Sequence, residues 1–392
     1  MPTDGNRVVV VGSGFAGYLA ARRLGRLARY QPMHLTLLSA TDGLLYSPLL
    51  PDVAVGALNP RSIVVPSATL DSVDDVRGDT FDIDLSAREV HYRDLDGAEH
   101  VAPYDRRGLC GHRADRADGS SDRPAAPTLF QPSRRRRRWL LVDVAHTVMP
   151  ELGPDLGQAA LQLLRRRRVD VRLGVSLEEV GSDSVTLTDH SVLPCQTVVW
   201  CAGVTANPII TSLGLPTERG RLVVDTALRV AGHPEVYAIG DAAAVPDLTK
   251  PANDDGTQPI CPPTAQHAMR QAAAARNIAA ALGYGEARPY RHRDLGLVVD
   301  LGGPDAAATP LGLHVRGRLA KVITRGYHLY ALPTASRRLR VLADWALTAP
   351  TTWPSACSPK RPHWPQPPRG VPRPVGAATG PLIWCRTRLL TG

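Results

Sequence analysis

The stretch Val8–Gly17, with the sequence VVVVGSGFAG, decides the fold of this chain. Its four consecutive valines predict a strand buried on both faces, as in a parallel sheet. The glycines fit the pattern G-x-G-x-x-G, and the Ala- and Leu-rich run over residues 18–24 predicts a helix directly after them. In this context Gly12 permits a tight turn, Gly14 lets the backbone approach a pyrophosphate, and Gly17 lets the helix pack close to the strand.

This strand–turn–helix predicts a dinucleotide site, with phosphates held by the N–H groups and the positive dipole end of the helix. A purely structural glycine turn is the alternative interpretation, and the motif alone does not distinguish FAD from NAD. The candidate binding residues in the motif are Gly12, Ser13, Gly14, Phe15, Ala16 and Gly17. A second strand is predicted over residues 34–39, where Ser39 stands near the position of the expected ribose-binding acid. A serine holds a ribose hydroxyl more weakly than a carboxylate does.

Composition limits the class of protein. The 392 residues suit two or three domains, and a hydrophobic fraction of 43% is typical of a globular protein. The formal charge of +9 comes almost wholly from arginine. It indicates nucleic acid, an anionic membrane surface or anionic cofactors as partners, or merely arginine-rich coding, which we favour. The six cysteines form no C-x-x-C pair and no zinc spacing, so we predict no disulfide framework, no metal site and no redox-active dithiol.

The sequence predicts neither a targeting segment nor a membrane-spanning helix. We expect no signal peptide ahead of the first strand, and no apolar run approaches the roughly 18 residues that a membrane-spanning helix needs. The cysteine usage favours a reducing compartment. The chain is therefore predicted to be soluble or peripheral to a membrane, with a cytoplasmic location.

Two stretches have no apolar period. Residues 106–138 are crowded with Arg, Asp, Ala, Pro and Ser, and residues 350–392 form a Pro-rich tail. The run Arg134–Arg138 could bind phosphate or nucleic acid, but no aromatic residues are interleaved with it. We therefore predict no nucleic-acid partner, and we interpret both stretches as disordered or as coding read out of frame.

Acidic residues end two further predicted strands. Residues 139–143 form an apolar run that ends in Asp143, and residues 236–243 run into Gly240 and Asp241. At the carboxyl end of a parallel strand, Asp241 can hold a ribityl or ribose hydroxyl, or it can cap a helix, and spacing alone does not choose. A helix is predicted from about Thr264, and its N-terminus could face a flavin ring.

The C-terminal third is predicted to contain short strands at residues 297–301 and 318–322, an amphipathic stretch at 326–333 and a helix over 337–347. That helix sets three arginines beside Leu339, Leu342 and Trp345. A basic amphipathic helix suits a membrane interface, and packing on its own domain is the equal alternative.

These residues resemble the type II NADH dehydrogenases, which are NADH:quinone oxidoreductases with two dinucleotide-binding domains. The matching segments are VVVVGSGFAG (8–17), LYSPLLPDVAVG (45–56), VVWCAGVTANP (198–208), TALRVAGHPEVYAIGDAA (226–243), AQHAMRQA (265–272) and YHLYALPTASRRLRVLADWAL (327–347). The resemblance implies an α/β fold with two Rossmann-like domains, the second incomplete, and a C-terminal α+β segment.

The resemblance also implies the cofactors and their residues. FAD would lie along the N-terminal glycines, with Gly240 and Asp241 on its ribityl chain and Gly203 in a turn of the family. Ala265 and Gln266 would sit beside the isoalloxazine, and Asp143 would hold the adenosine ribose of NADH. NADH or NADPH would be the substrate, and a quinone or another small molecule would accept the electrons. No acid–base catalyst is predicted, because the flavin carries the chemistry.

The departure from the family is a missing second G-x-G-x-x-G, whose place residues 106–138 occupy. A flavin-binding protein that has lost NADH oxidation is therefore the alternative function. The resulting domain prediction is 1–105 with 193–295 for FAD, 139–192 for part of the NADH domain, and 296–349 for dimerisation or membrane association. A homodimer and a peripheral position on the cytoplasmic face of the inner membrane are the corresponding expectations.

Overall fold

The computed structural model describes residues 6–111, 137–200, 207–348 and 383–388. Numbered along the chain, the helices are α1 Phe15–Ala28, α2 Leu50–Ala54, α3 Pro154–Arg166, α4 Pro208–Ser212, α5 Ala265–Gln271, α6 Ala274–Ala281, α7 Gly317–Ala331 and α8 Ala335–Thr348. The strands are β1 Asn6–Val11, β2 Met33–Ser39, β3 Gly43–Leu45, β4 Val64–Pro66, β5 Asp74–Arg77, β6 Asp79–Asp84, β7 Glu89–Arg93, β8 Glu99–Pro103, β9 Arg106–Gly111, β10 Arg137–Asp143, β11 Val169–Leu173, β12 Leu177–Val180, β13 Ser184–Leu187, β14 Val192–Pro194, β15 Thr197–Trp200, β16 Thr217–Glu218, β17 Arg221–Val223, β18 Arg229–Val230, β19 His233–Gly240, β20 Ala243–Ala244, β21 Val298–Asp300, β22 Ala306–Ala308, β23 Val315–Arg316 and β24 Ile383–Arg388.

The chain forms two compact units. The first takes in the described parts of residues 1–121, 205–293 and 332–347, and the second takes in those of 122–204, 294–331 and 348–392. The segment that was expected to act as one C-terminal piece is thus divided near residue 331.

The first unit is built on a six-stranded sheet in the order β18-β19-β9-β1-β2-β5. Strand β1 is parallel to β2 and β9, and β9 is parallel to β19. Val8, Val9 and Val10 of β1 are buried, as the apolar run predicts, and Val11 is partly buried. The small residues of α1 pack on the same core. The predicted buried strand and following helix are confirmed.

The second unit contains a four-stranded sheet in the order β11-β10-β24-β15. Strand β10 is parallel to β11, whereas β24 runs antiparallel to both β10 and β15. The C-terminal segment therefore lies inside the sheet, between two strands that share one direction.

The aperiodic stretches behave differently at their ends from what the sequence indicates. Residues 106–111 form β9, residues 137 and 138 begin β10, and residues 383–388 form β24. The expectation of irregular chain is wrong at these positions, and the remainder of both stretches lies outside the described residues. Ladder hydrogen bonds use backbone groups that every non-proline residue carries, so a strand position can be filled without an apolar period.

A second correction concerns residues 318–322. They were expected to form a strand, but they lie in α7, which also contains most of the amphipathic stretch at 326–333. The side chains that α7 buries include Ala320, Thr324 and His328, which are four residues apart. This spacing is that of one helix face, and a short apolar run does not by itself distinguish a helix from a strand.

Candidate functional site

The predicted cofactor residues of the first unit lie at one edge of its sheet. Because β1, β2, β9 and β19 are parallel, their carboxyl ends meet there, with Val11 opposite Leu38 and Gly240 opposite Gly111. Ligands of open α/β sheets bind in the crevice outside the carboxyl ends of the strands. The fold therefore brings the first glycine motif and the Gly240–Asp241 turn together.

The glycine turn has the geometry that its sequence predicts. Gly12 has φ = +94°, and its N–H donates to the Leu38 carbonyl at 2.8 Å. Gly14 is extended and stands at the N-cap of α1, where its carbonyl accepts from the Tyr18 N–H at 2.9 Å. No side chain caps this helix, and its first turn holds no acidic residue. The start of α1 is therefore suited to a negatively charged group.

Two of the predicted residues, both buried, form a hydroxyl cluster with a third residue, Thr41, which is exposed. The Ser13 hydroxyl lies 2.8 Å from that of Ser39 and 3.0 Å from that of Thr41, and it donates to the Gly43 carbonyl at 3.0 Å. Ser13 and Ser39 are 0% and 4% exposed. The cluster fastens the glycine turn to the end of β2. The proposed bond from Ser39 to a ribose stays a prediction, and sequence reasoning missed Thr41.

The second half of the edge is the turn after β19. Gly240 has φ = +67°, and its N–H donates to the Gln271 side-chain oxygen at 2.7 Å in a buried position. Asp241 is half-buried and precedes β20, so it caps no helix, and the N-cap alternative is wrong. Sequence reasoning missed Gln271, which fixes this turn from α5.

Arg221 is a buried cation behind this turn. Its Nη1 donates to the carbonyls of Cys261 at 2.9 Å and Ala243 at 3.3 Å. Burial lowers the pKa of Arg221, while the charges of Glu218 and Asp241 oppose that change. Burial also raises the pKa of the Cys261 thiol to about 11, so this residue remains a thiol at neutral pH.

The predicted flavin-facing residues begin α5. Thr264 caps the helix by accepting from the His267 N–H at 3.3 Å, and Ala265 and Gln266 are the first two helical residues. The His267 ring stacks on that of His292, with the two ring centroids 3.8 Å apart. The helix contacts both α1 and β19.

In the second unit, Asp143 is 6% exposed at the end of β10. Its Oδ1 accepts from the Ala145 N–H at 2.9 Å, so the carboxylate organises the turn that leaves the strand. Gly203 lies outside the described residues. Strand β10 lies between β11 and β24, and the N-terminal end of β24, not its C-terminal end, lies at the Asp143 edge.

Other features of the described residues bear on earlier expectations. No group of three or more His, Cys, Asp or Glu side chains among them could hold a metal ion. None of the described helices is both long and apolar enough to cross a bilayer. Cys195 is disulfide-bonded, which the cysteine spacing did not predict.

Comparisons with known proteins place these observations in context. A family model described as pyridine nucleotide-disulphide oxidoreductase matches residues 132–272. The chain is 25% identical to demethylphylloquinone reductase NdbB of Synechocystis over 88% of this chain and 96% of that protein. It is 24% identical to type II NADH:quinone oxidoreductase Ndh of Mycobacterium tuberculosis over 88% and 89% of the two chains. The fold matches that of NDH2 from Plasmodium falciparum, solved in complex with NADH, with a TM-score of 0.75, 12% identity and coverage of 90% and 100% of the two chains.

Proposed function

We propose that the chain is an FAD-dependent oxidoreductase similar to the type II NADH dehydrogenases, and that it passes electrons from NADH or NADPH to a quinone or similar small acceptor. The observation that carries this proposal is the sheet edge of the first unit, where the glycine turn and the Gly240–Asp241 turn meet. Relatives over most of the chain bear the names of quinone reductases, which supports the choice of acceptor.

The residues at this edge fit FAD. The uncapped start of α1 offers backbone N–H groups to a pyrophosphate, and no acidic side chain in the first turn repels it. The half-buried Asp241 carboxylate would accept hydrogen bonds from ribityl hydroxyls. Ala265 and Gln266, at the start of α5, would lie beside the flavin ring. Bound FAD would supply hydride acceptance and electron transfer, and the protein would orient it.

Fewer residues support the binding of NADH or NADPH than support the binding of FAD. Asp143 is the acid that would hold the adenosine ribose, but no second G-x-G-x-x-G exists in the sequence. The antiparallel β24 stands where a parallel strand leading into such a motif would run. These two observations favour a second candidate function, a flavin-binding protein that has lost NADH oxidation.

Helix α8 supports a peripheral membrane contact. Its inner face buries Val341 and Trp345, and the Trp345 N–H donates to Asp52 at 2.9 Å. Its outer face leaves Leu339, Leu342 and Leu347 more than half exposed. Both expectations for this helix thus have support, since it packs on its own unit and retains an apolar face. A cytoplasmic location at the inner membrane is proposed with it, and the homodimer stays a prediction.

The test is the visible absorbance of the purified protein during anaerobic addition of NADH and, separately, NADPH. We expect a bound flavin whose absorbance is lost on stoichiometric reduction, and whose colour returns when a soluble quinone is added. A flavin that dithionite reduces and both nucleotides leave oxidised would establish the second candidate. A colourless protein that does not take up added FAD would contradict both.

A further inference from the structure

A small cavity outside the cofactor edge remains unexplained by the proposed function. Its volume is about 150 Å³, below the roughly 300–1,000 Å³ of pockets that hold drug-sized ligands. It lies within the first unit, between α1, the chain just after β4 and the residue before α8. Its lining residues are Tyr18, Arg22, Arg26, Thr69, Leu70, Asp71 and Thr334.

The α1 side of this cavity is a regular row of donors. Tyr18, Arg22 and Arg26 are four residues apart and therefore lie one above another on one helix face. Two arginines at this spacing repel each other in an isolated helix. Asp71 is the acidic residue in the lining, and its carboxylate already forms an ion pair with Arg29. The cavity thus carries an excess of positive charge.

Two hydroxyls complete the lining. The Tyr18 side chain is fully buried, with its ring packed against Leu44 and Val65. Its OH, and the Oγ1 of Thr334, are buried and have no hydrogen-bond partner among the described residues. Buried polar atoms in folded proteins are normally paired, so two such atoms in the lining of one cavity call for a ligand. The hydroxyl of Thr69 differs, because it donates to the Pro66 carbonyl at 2.7 Å.

We propose that this cavity binds a small oxyanion of the phosphate class. Arg22 and Arg26 would neutralise its charge, and the hydroxyls of Tyr18 and Thr334 would donate to its oxygens. The donors come from α1 and from the approach to α8, which suits an anion with oxygens in several directions better than a planar carboxylate. Occupancy would tie the N-terminal helix to the C-terminal helix of this unit.

The test is calorimetric titration of the full chain with inorganic phosphate at constant ionic strength. We expect saturable binding at one site and clearly weaker binding of acetate. Arg26→Gln is the main variant, because Arg26 is exposed and its loss leaves the packing intact. It should weaken phosphate binding by roughly tenfold, the value of one charge-assisted hydrogen bond. The matched control is Arg23→Gln, a neighbouring arginine of α1 outside the cavity.

Tyr18→Phe separates a binding site from a merely basic surface. Removing an unpaired buried hydroxyl should raise the melting temperature of the phosphate-free protein, while phosphate binds several-fold more weakly. Equal phosphate affinity in Arg26→Gln and Arg23→Gln would show an adventitious ion only. Absence of saturable binding to the unaltered chain, or acetate binding as tightly as phosphate, would also overturn the proposal.

Discussion

Each of the two sheets has a strand that ends next to a candidate binding residue, but the chain around that end differs between the two units. In the first unit, β1 leads through Gly12 into α1, and the hydroxyls of Ser13, Ser39 and Thr41 fasten that turn to the neighbouring strand. In the second unit, β10 ends in a buried aspartate, but its neighbour β24 arrives from the opposite direction. A strand position can thus be filled by any backbone, whereas a phosphate cradle needs a parallel strand followed by its own glycine turn and helix.

The largest effect is expected from removing β24. A chain that ends at Leu382 should leave the facing edges of β10 and β15 without their ladder partner. We expect their amides, over residues 137–143 and 197–200, to lose most of their protection from hydrogen exchange. Strands β1 and β2 should keep theirs.

The matched control is a chain that ends at Arg388, which lacks the last four residues but retains β24. Equal protection in the two truncated chains would show that β24 contributes nothing to the second sheet. The same measurement reports on the first unit, whose strands serve as the internal reference.

The next effect concerns the glycine turn. Gly12→Ala places a side chain at φ = +94°, which costs about 1–2 kcal/mol and distorts the tight turn that leads into α1. We expect the purified variant to lack bound flavin, as measured by the ratio of visible to protein absorbance. Gly97→Ala has a similar φ of +84° in an open turn, so it should be destabilised comparably and keep its flavin. Flavin retained at full occupancy in Gly12→Ala would contradict the proposed site.

A pair of substitutions then compares Asp241, proposed to bind FAD, with Asp143, proposed to bind NADH. Asp241→Asn removes the charge that is proposed to accept from the ribityl hydroxyls, and we expect FAD affinity to fall roughly tenfold to a hundredfold. Asp143→Asn keeps an oxygen for the Ala145 N–H, so folding should be preserved. If a nicotinamide site operates, Asp143→Asn raises KM for NADH and leaves FAD affinity unchanged. Unchanged kinetics in that variant would favour the function without NADH oxidation.

The smallest expected effect is a loss of folding stability at acid pH, which arises from the pair that Arg7 of β1 forms with Asp105. The side-chain hydrogen bond from Arg7 holds the pKa of Asp105 below its usual range. A carboxyl whose pKa is lowered by folding contributes stability above its unfolded pKa, and this contribution is lost as pH falls through the folded pKa. Because both side chains are more than a third exposed, the loss below about pH 4 should be at most ~1 kcal/mol. At pH 7, urea unfolding should give a lower free energy of unfolding for Asp105→Asn than for the unaltered chain. At pH 3, the two values should agree.

The first unit was largely predictable because its signals are local. Four valines, three glycines and a small-residue helix specify β1, the turn and α1 without reference to distant chain. The partners that fix the site were not predictable, since Thr41 and Gln271 reach it only after the sheet has assembled. Asp241 shows the same limit, because its spacing fitted both a ligand contact and a helix cap until the short strand β20 was seen to follow it.

The second unit was less predictable for a different physical reason. Residues 383–388 carry no strand-like alternation, and their place is determined by the unpaired edges of strands far away in sequence. Residues 106–111, in the first unit, were unpredictable for the same reason. Residues 318–322 were misassigned because a short apolar run is compatible with both periods. Backbone pairing and helix continuity determine the structure at these positions, and neither can be recognised in a short window of sequence.

The position of β24 also has a consequence for synthesis on the ribosome. Strands β10 and β15 leave the exit tunnel well over a hundred residues before the strand that joins them. Through that interval the nascent second unit presents two open strand edges, which are targets for pairing with other chains and for chaperones. The first unit gathers the strands around β1 much earlier. Translation rate and chaperone supply should therefore govern the yield of the second unit more than that of the first.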